Sequence, residues 1–185
     1  MKREFDELCR LPVRRVLVSA VPVSEIPELV RMAATEIPSL TAAEAAVVRV
    51  QEKHPESVWA FRRDGKLVGV YSMLLLNSIG HERLIDGQLD CSNPSLECLS
   101  EPGQPVTAIY KWAVVARGAA AEGIYAMSRH LQNQLYANAN LYARAIGDAA
   151  QRLDFNLGFR PLRPDSDLLV YIRMRNRARR SPLAA

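Results

Sequence analysis

The chain has 185 residues, of which 49% are hydrophobic and 24% charged; this is enough for a packed core and excludes the polar, highly charged mixtures that stay unfolded. Its net charge of +4 is local: Arg173, Arg175, Arg177, Arg179 and Arg180 crowd into the tail, and setting these five aside turns +4 into −1 for the rest, so nucleic acid is not an expected partner of the body. No run of roughly 18 apolar residues and no basic, apolar, small-residue leader pattern is present, so the expected compartment is the cytoplasm and no membrane partner is expected.

The first extended segment is Arg15 to Val21, alternating and rich in β-branched residues, followed by Pro22 and by Ser24 as a helix cap. Ile26, Leu29, Val30, Ala33 and Ile37 recur at spacings of three and four, which predicts a helix that tolerates Pro27 in its first turn and ends at Pro38. Thr41 to Glu44 reads as a capping box for a second short helix ending near His54-Pro55. From Ser57 the period becomes that of strands. Asp64-Gly65 suits a two-residue hairpin turn because both central residues need positive φ, and the spacing puts Trp59 and Phe61 on one face with Val58 and Ala60 on the other. The second arm runs on to Leu76 as a nearly continuous apolar stretch, as expected of a strand covered on both faces. Residues 77–105 carry Gly80, Gly87, Pro94, Pro102 and Gly103 among many acids, and read as a long mobile loop bordering a substrate site. Val106 to Val115 is a strand, with Tyr110 and Trp112 on one face and Lys111 on the other; the aromatics could meet substrate or fill the core. A small-residue stretch then leads into a helix, predicted to run to about Asn138 from Ile124, Met127, Leu131 and Leu135. A strand at Leu141 to Ile146, a helix from Asp148 to Leu157 ended by Gly158, and a last strand at Leu168 to Met174 complete the order. One domain over 1–174 with a basic tail at 175–185 is the expected organisation. Cys9, Cys91 and Cys98 are too few for a disulfide framework, and their spacing gives no zinc set, so reduced thiols and no metal are expected.

A strand feeding a small-residue turn into a helix start points backbone N–H groups at one spot, where the helix dipole favours an anion. Residues 116–124 have this form: Gly118 and Gly123 allow close backbone approach and Arg117 can pair with phosphate, while tight packing is the other reason for such a composition.

The element order resembles the GNAT (GCN5-related N-acetyltransferase) fold across residues 13–174. Asn156-Leu157-Gly158-Phe159-Arg160-Pro161-Leu162 is similar to the segment by which that family leaves its last helix, and the passage from Trp112 to Met127 falls where it binds the CoA pyrophosphate. The resemblance implies a mixed α/β (α+β) fold with a mostly antiparallel central sheet flanked by helices. It also implies acetyl-CoA, or another acyl-CoA, as cosubstrate and a small-molecule or peptide amine as acceptor; a homodimer is compatible with it. The cofactor contacts it implies are Val114 and Val115, whose strand supplies an oxyanion donor, and Arg117, Gly118, Ala120, Ala121, Glu122, Gly123 and Ile124. The family pattern Q/R-x-x-G-x-G/A anchored on Gly123 puts Ala120 at the Gln/Arg position and Tyr125 at a small-residue position; anchored on Arg117, it puts Ala120 and Glu122 at the glycines. Where the family often carries a tyrosine acid, four residues before the Gly-Phe pair, this chain has Asp154.

Acyl transfer to an amine needs a neutral nucleophile, an oxyanion site and a proton for the thiolate. Glu82 and Asp86 are the leading carboxylate bases, with Asp90, Glu97 and His81 beside them, and Tyr125 or Tyr142 would supply a tyrosine acid from another position. The expected function is acyl-CoA-dependent N-acetyl transfer. A degenerate acyl-CoA-binding or regulatory protein is the alternative.

Overall fold

The computed structural model describes residues 16–37, 40, 42–145 and 147–173. Seven strands form one sheet: β1 (Leu17–Ala20), β2 (Val58–Arg63), β3 (Lys66–Leu76), β4 (Ala108–Ala116), β5 (Asn140–Arg144), β6 (Arg160–Pro161) and β7 (Leu168–Tyr171), in the spatial order β1-β2-β3-β4-β5-β7-β6. All neighbouring pairs are antiparallel except β4 and β5. The described helices are α1 (Ile26–Glu36), α2 (Glu44–Lys53), α3 (Ser78–Ile85), α4 (Ala121–His130) and α5 (Asp148–Asn156).

The hairpin has the expected form. Asp64 and Gly65 have φ of 52° and 75°, the pair of positive values that a right-twisted two-residue connection requires. Phe61, wholly buried, and Trp59 pack with Met73, Ile109 and Met127 on the α4 face; Val58 and Ala60 pack with Leu29 and Val70 on the α1–α2 face. Burying a side chain such as Phe61 stabilises the fold by about 2–3 kcal/mol. On the same side of the sheet as α1 and α2, α3 covers Leu74, Leu76, Tyr110 and Tyr142.

Residues 77–105 differ from the expected loop. Asn77 caps α3 by accepting the Gly80 N–H at 3.0 Å, and its amide donates to the Glu97 and Leu99 carbonyls at 2.7 and 3.0 Å. Gly80, which reads as a breaker, is a packing residue: a Cβ there would lie 2.2 Å from the Cys98 carbonyl oxygen. Asn77→Ala removes a cap and leaves two carbonyls unpaired, so it is expected to lower unfolding free energy by about 2 kcal/mol in urea titration; an unchanged midpoint and slope would contradict this account of the segment.

Smaller corrections concern helix ends. Ser24 lies in a 3₁₀ turn (Val23–Glu25) without capping, and α1 begins at Ile26, one residue later than a Ser24 cap implies, with Glu25 as N-cap. Ala43 precedes α2 with no side-chain cap; Thr41 lies outside the described residues, as do Cys9, Arg15, Pro38, Ile146, Met174 and the tail beyond residue 173. Helix α4 stops at His130 rather than Asn138, giving way to tight turns such as Gln132 N–H to Arg129 O and Tyr136 N–H to Asn133 O. These turns keep Leu131 and Tyr136 buried, so the apolar spacing persists although the helix does not. The short strand β6 was not expected from the sequence.

Candidate functional site

Strand β4 pairs with β5 only from Ala108–Asn140 to Lys111–Ala143, and among the described residues no strand pairs with the same edge of β4 beyond Lys111. On its other edge β4 stays paired with β3 up to Ala116, with Trp112 as the extra residue of a bulge between the Met73–Lys111 and Ser72–Ala113 pairs. The sheet therefore forks at Lys111. Residues 112–116 line one side of the fork and lead to a 3₁₀ turn (Gly118–Ala120) and the start of α4, where no side chain caps the helix.

The two glycines of this turn differ. Gly118 has φ of 55°, and among the described residues beyond its chain neighbours nothing lies within 4 Å of the place a Cβ would take, so that position is open. A Cβ on Gly123 would meet the Phe61 ring at 2.6 Å, so Gly123 packs α4 against β2 and faces the core. Ala120 is buried, Ala121 and Glu122 are exposed, and Ile124 is half-buried against the α4-face core. Arg117 is exposed and ion-paired with Glu36 at the end of α1; a Glu122 oxygen accepts the Val16 N–H at 3.5 Å. Val114 faces the α4 side and Val115 the α1 side.

On the α3 face of the fork, His81 Nε2 and Tyr142 Oη are 2.7 Å apart, and Tyr142 sits opposite Tyr110 in the β4–β5 register. Burial lowers the His81 pKa from its ordinary value, with Glu82 opposing, so the imidazole is neutral at pH 7. Burial raises that of Tyr142, keeping its hydroxyl protonated. Beside them Trp112 Nε1 donates to the Cys91 carbonyl at 2.8 Å, and Arg144 Nη1 approaches Cys91 Sγ at 3.8 Å while its Nε meets Asp167 at 3.1 Å. Residues 77–93 thus cover one face of the fork.

On the opposite face Lys111 Nζ donates to Asp154 Oδ1 and lies 5.3 Å from the centre of the Phe159 ring. Asp154 is wholly buried and its Oδ2 has no partner among the described residues.

The other sequence candidates lie apart from this centre. Glu82 is exposed on α3 and Asp86 at its C-cap, and Tyr125 is 67% exposed on α4. Glu97 is ion-paired with Arg83 at 2.7 Å. Asp90 accepts the Ser92 N–H and hydroxyl at 2.9 and 2.6 Å, bonds that lower its pKa. Among the described residues no group of three or more His, Cys, Asp or Glu side chains could hold a metal ion. The partnership of Lys111 with Asp154 is new to the structure; the signal in the sequence was a lysine inside an otherwise apolar strand and an acid flanked by Leu153 and Phe155.

Two cavities flank this region. A cleft of about 450 Å³ bordered by Lys53, Asn77, Ser100 and Glu101 lies at the Ala108 end of β4, roughly 27 Å of extended strand from the Ala116 end. An apolar slot of about 20 Å³, room for a water- or methyl-sized group, lies between α1 and the β4 bulge at Trp112 and Ala113.

Solved structures share this architecture. A histone acetyltransferase HPA2-related acetyltransferase from Corynebacterium glutamicum aligns over 87% of this chain and 98% of its own, with a TM-score of 0.52 and 16% identity. Ard1 from Thermoplasma volcanium aligns over 86% and 99%, with 0.55 and 14%. The GphF GNAT-like decarboxylase, solved with isobutyryl-CoA, aligns over 85% and 100%, with 0.54 and 14%. The chain has the GNAT fold. No family model matches the sequence, and no curated protein matches it either. A GNAT fold at this distance fixes the architecture and leaves the reaction to be argued from the site. No described helix is long and apolar enough to cross a membrane.

Proposed function

We propose that this chain is an acyl-CoA-dependent N-acyltransferase that carries a small acyl group, acetyl foremost, to an amine. The observation that carries this reading is the fork of β4 and β5, which opens onto the uncapped turn at Gly118. An unpaired strand edge can bind an extended chain bearing amides, and a helix start can bind phosphate. A CoA molecule has both parts in this order, a pyrophosphate followed by a two-amide arm. Backbone at 117–122 would hold the pyrophosphate, with Arg117 as a salt-exchangeable helper, and the edge near Val114 and Val115 would donate to the acyl oxyanion. Gly123 and Ile124 support the turn from the core side. The methyl-sized slot beside Trp112 and Ala113 favours acetyl over longer acyl groups.

Amine activation belongs to the His81–Tyr142 pair in this reading, in place of Glu82 and Asp86, which are exposed, and of Tyr125, which points outward. The test is release of free thiol from acetyl-CoA in the presence of a panel of amines and N-terminal peptides. Acceptor-dependent release is the expected result. Saturable acetyl-CoA binding without release for any acceptor would instead support the regulatory alternative, which Asp154 at the usual tyrosine position favours.

A further inference from the structure

We propose that Lys111, held in place by Asp154, is the group that neutralises and protonates the departing CoA thiolate; the inference rests on the acyltransferase reading above. Lys111 is the last residue of β4 paired with β5, so its side chain leaves the sheet at the closed end of the fork. From Ala116 to Lys111 the edge of β4 spans about 17 Å, comparable to an extended pantetheine arm anchored at the Gly118 turn. An arm laid along that edge brings its sulfur to the closed end.

The ion pair there is built unlike a packing contact. Removing a carboxylate wholly from water costs several kcal/mol unless its oxygens are bonded, and apolar residues of similar volume would join α5 to β4 at least as well. Among the described residues Asp154 nevertheless has a single side-chain donor, Lys111, and its second oxygen has none. The arrangement makes sense if its purpose is to keep a cation at this spot. Asp154 is then a positioning residue.

The faces of the sheet assign the two proton tasks. Tyr142 and His81 lie on the α3 side, whereas Lys111 lies with Ala143 and Phe159 on the other. The amine nitrogen attacks the thioester carbon and the C–N bond forms. Collapse of the oxyanion breaks the C–S bond, whose electron pair goes to sulfur. The thiolate takes a proton from Lys111 Nζ, and the amine's lost proton passes to the Tyr142–His81 pair. Solvent then returns a proton to Lys111 and takes one from His81. The sum is an amide and free CoA thiol.

The test compares acetyl-CoA with acetyl 4-nitrothiophenol, an aryl thioester whose thiolate leaves without a proton, in wild type and in Lys111→Met. Calorimetry is expected to show acetyl-CoA binding to Lys111→Met within about threefold of wild type. Transfer from acetyl-CoA is expected to fall about 100-fold or more, while transfer from the aryl thioester stays within about threefold. Equal losses with both donors, or no loss with either, would overturn the proposal. Wild type alone gives a second measurement that needs no folded variant: across a series of alkyl thioesters, whose thiolates need a proton as CoA does, its rate should depend little on leaving-thiol pKa, and a steep dependence would overturn the proposal. Wild type that neither binds acetyl-CoA nor transfers from it removes the acyltransferase reading and this inference with it, whereas transfer with equal losses removes this inference alone.

Discussion

Gly123→Val is expected to destabilise the domain by about 2–4 kcal/mol, a large share of the roughly 5–15 kcal/mol of a domain of ordinary stability, and so to lower its urea midpoint markedly. A Cβ at this position would meet three atoms of the Phe61 ring between 2.6 and 2.8 Å, and Phe61, on β2, is wholly buried in the cluster with Met73, Ile109 and Met127, so the ring cannot swing into solvent. The sequence left Gly123 open between close approach to an anion and tight packing. The packing role predicts that Phe61→Leu partly rescues Gly123→Val, since a smaller, flexible side chain vacates the ring's position. Urea unfolding of both single variants and the double variant measures this coupling. Strictly additive losses would contradict the contact.

The second large effect is on rate. His81→Gln is expected to reduce kcat by about 10²–10³ and to abolish the acid limb of the pH profile. In wild type, kcat/KM should rise with pH along a limb centred below the ordinary histidine value, because burial lowers the His81 pKa, and should be flat across neutral pH. Tyr142→Phe should reduce kcat while leaving the limb, since the imidazole remains. A wild-type profile without an acid limb, or a limb that persists in His81→Gln, would show that another group takes the amine proton. Stability has its own acid dependence through His54, buried at 4% exposure with its pKa lowered by that burial. Between the folded and unfolded values the unfolded chain binds the extra proton. The contribution is therefore fully present above about pH 6.5 and is lost as pH falls through the folded value, with a limiting slope of about 1.4 kcal/mol per pH unit.

The parts of the fold legible in the sequence were those fixed by neighbours along the chain. Asp64-Gly65 specified its turn locally, and the alternation around it assigned Trp59, Phe61, Val58 and Ala60 to the right faces. Helix α3 was not legible because Gly80 reads as a breaker until Cys98, eighteen positions on, is seen to pack on it. The same blindness affected the Gly-rich turn: Gly118 and Gly123 are equivalent in composition, and only Phe61, from a distant strand, tells the packing glycine from the open one. The end of α4 was overrun because the hydrogen-bonded turns that follow it keep Leu131 buried at the spacing of a helix. In the site, His81 and Tyr142 each stood out singly, but their 2.7 Å contact joins positions 61 apart. Lys111 and Asp154, 43 apart, gave a weaker signal still, a charge inside the apolar strand β4 and one acid among the several polar residues of α5.

The central claim is that acyl-CoA binds along the β4 edge with its pyrophosphate at the Gly118 turn. Calorimetric titration of acetyl-CoA into wild type and Gly118→Leu tests it most directly. The added side chain enters open space and strains a left-handed backbone, so about 1–2 kcal/mol of stability is lost while circular dichroism still reports a folded domain. The account predicts one saturable site in wild type and at least tenfold weaker binding in the folded variant. Absence of binding by folded wild type, or equal binding by Gly118→Leu, would contradict it.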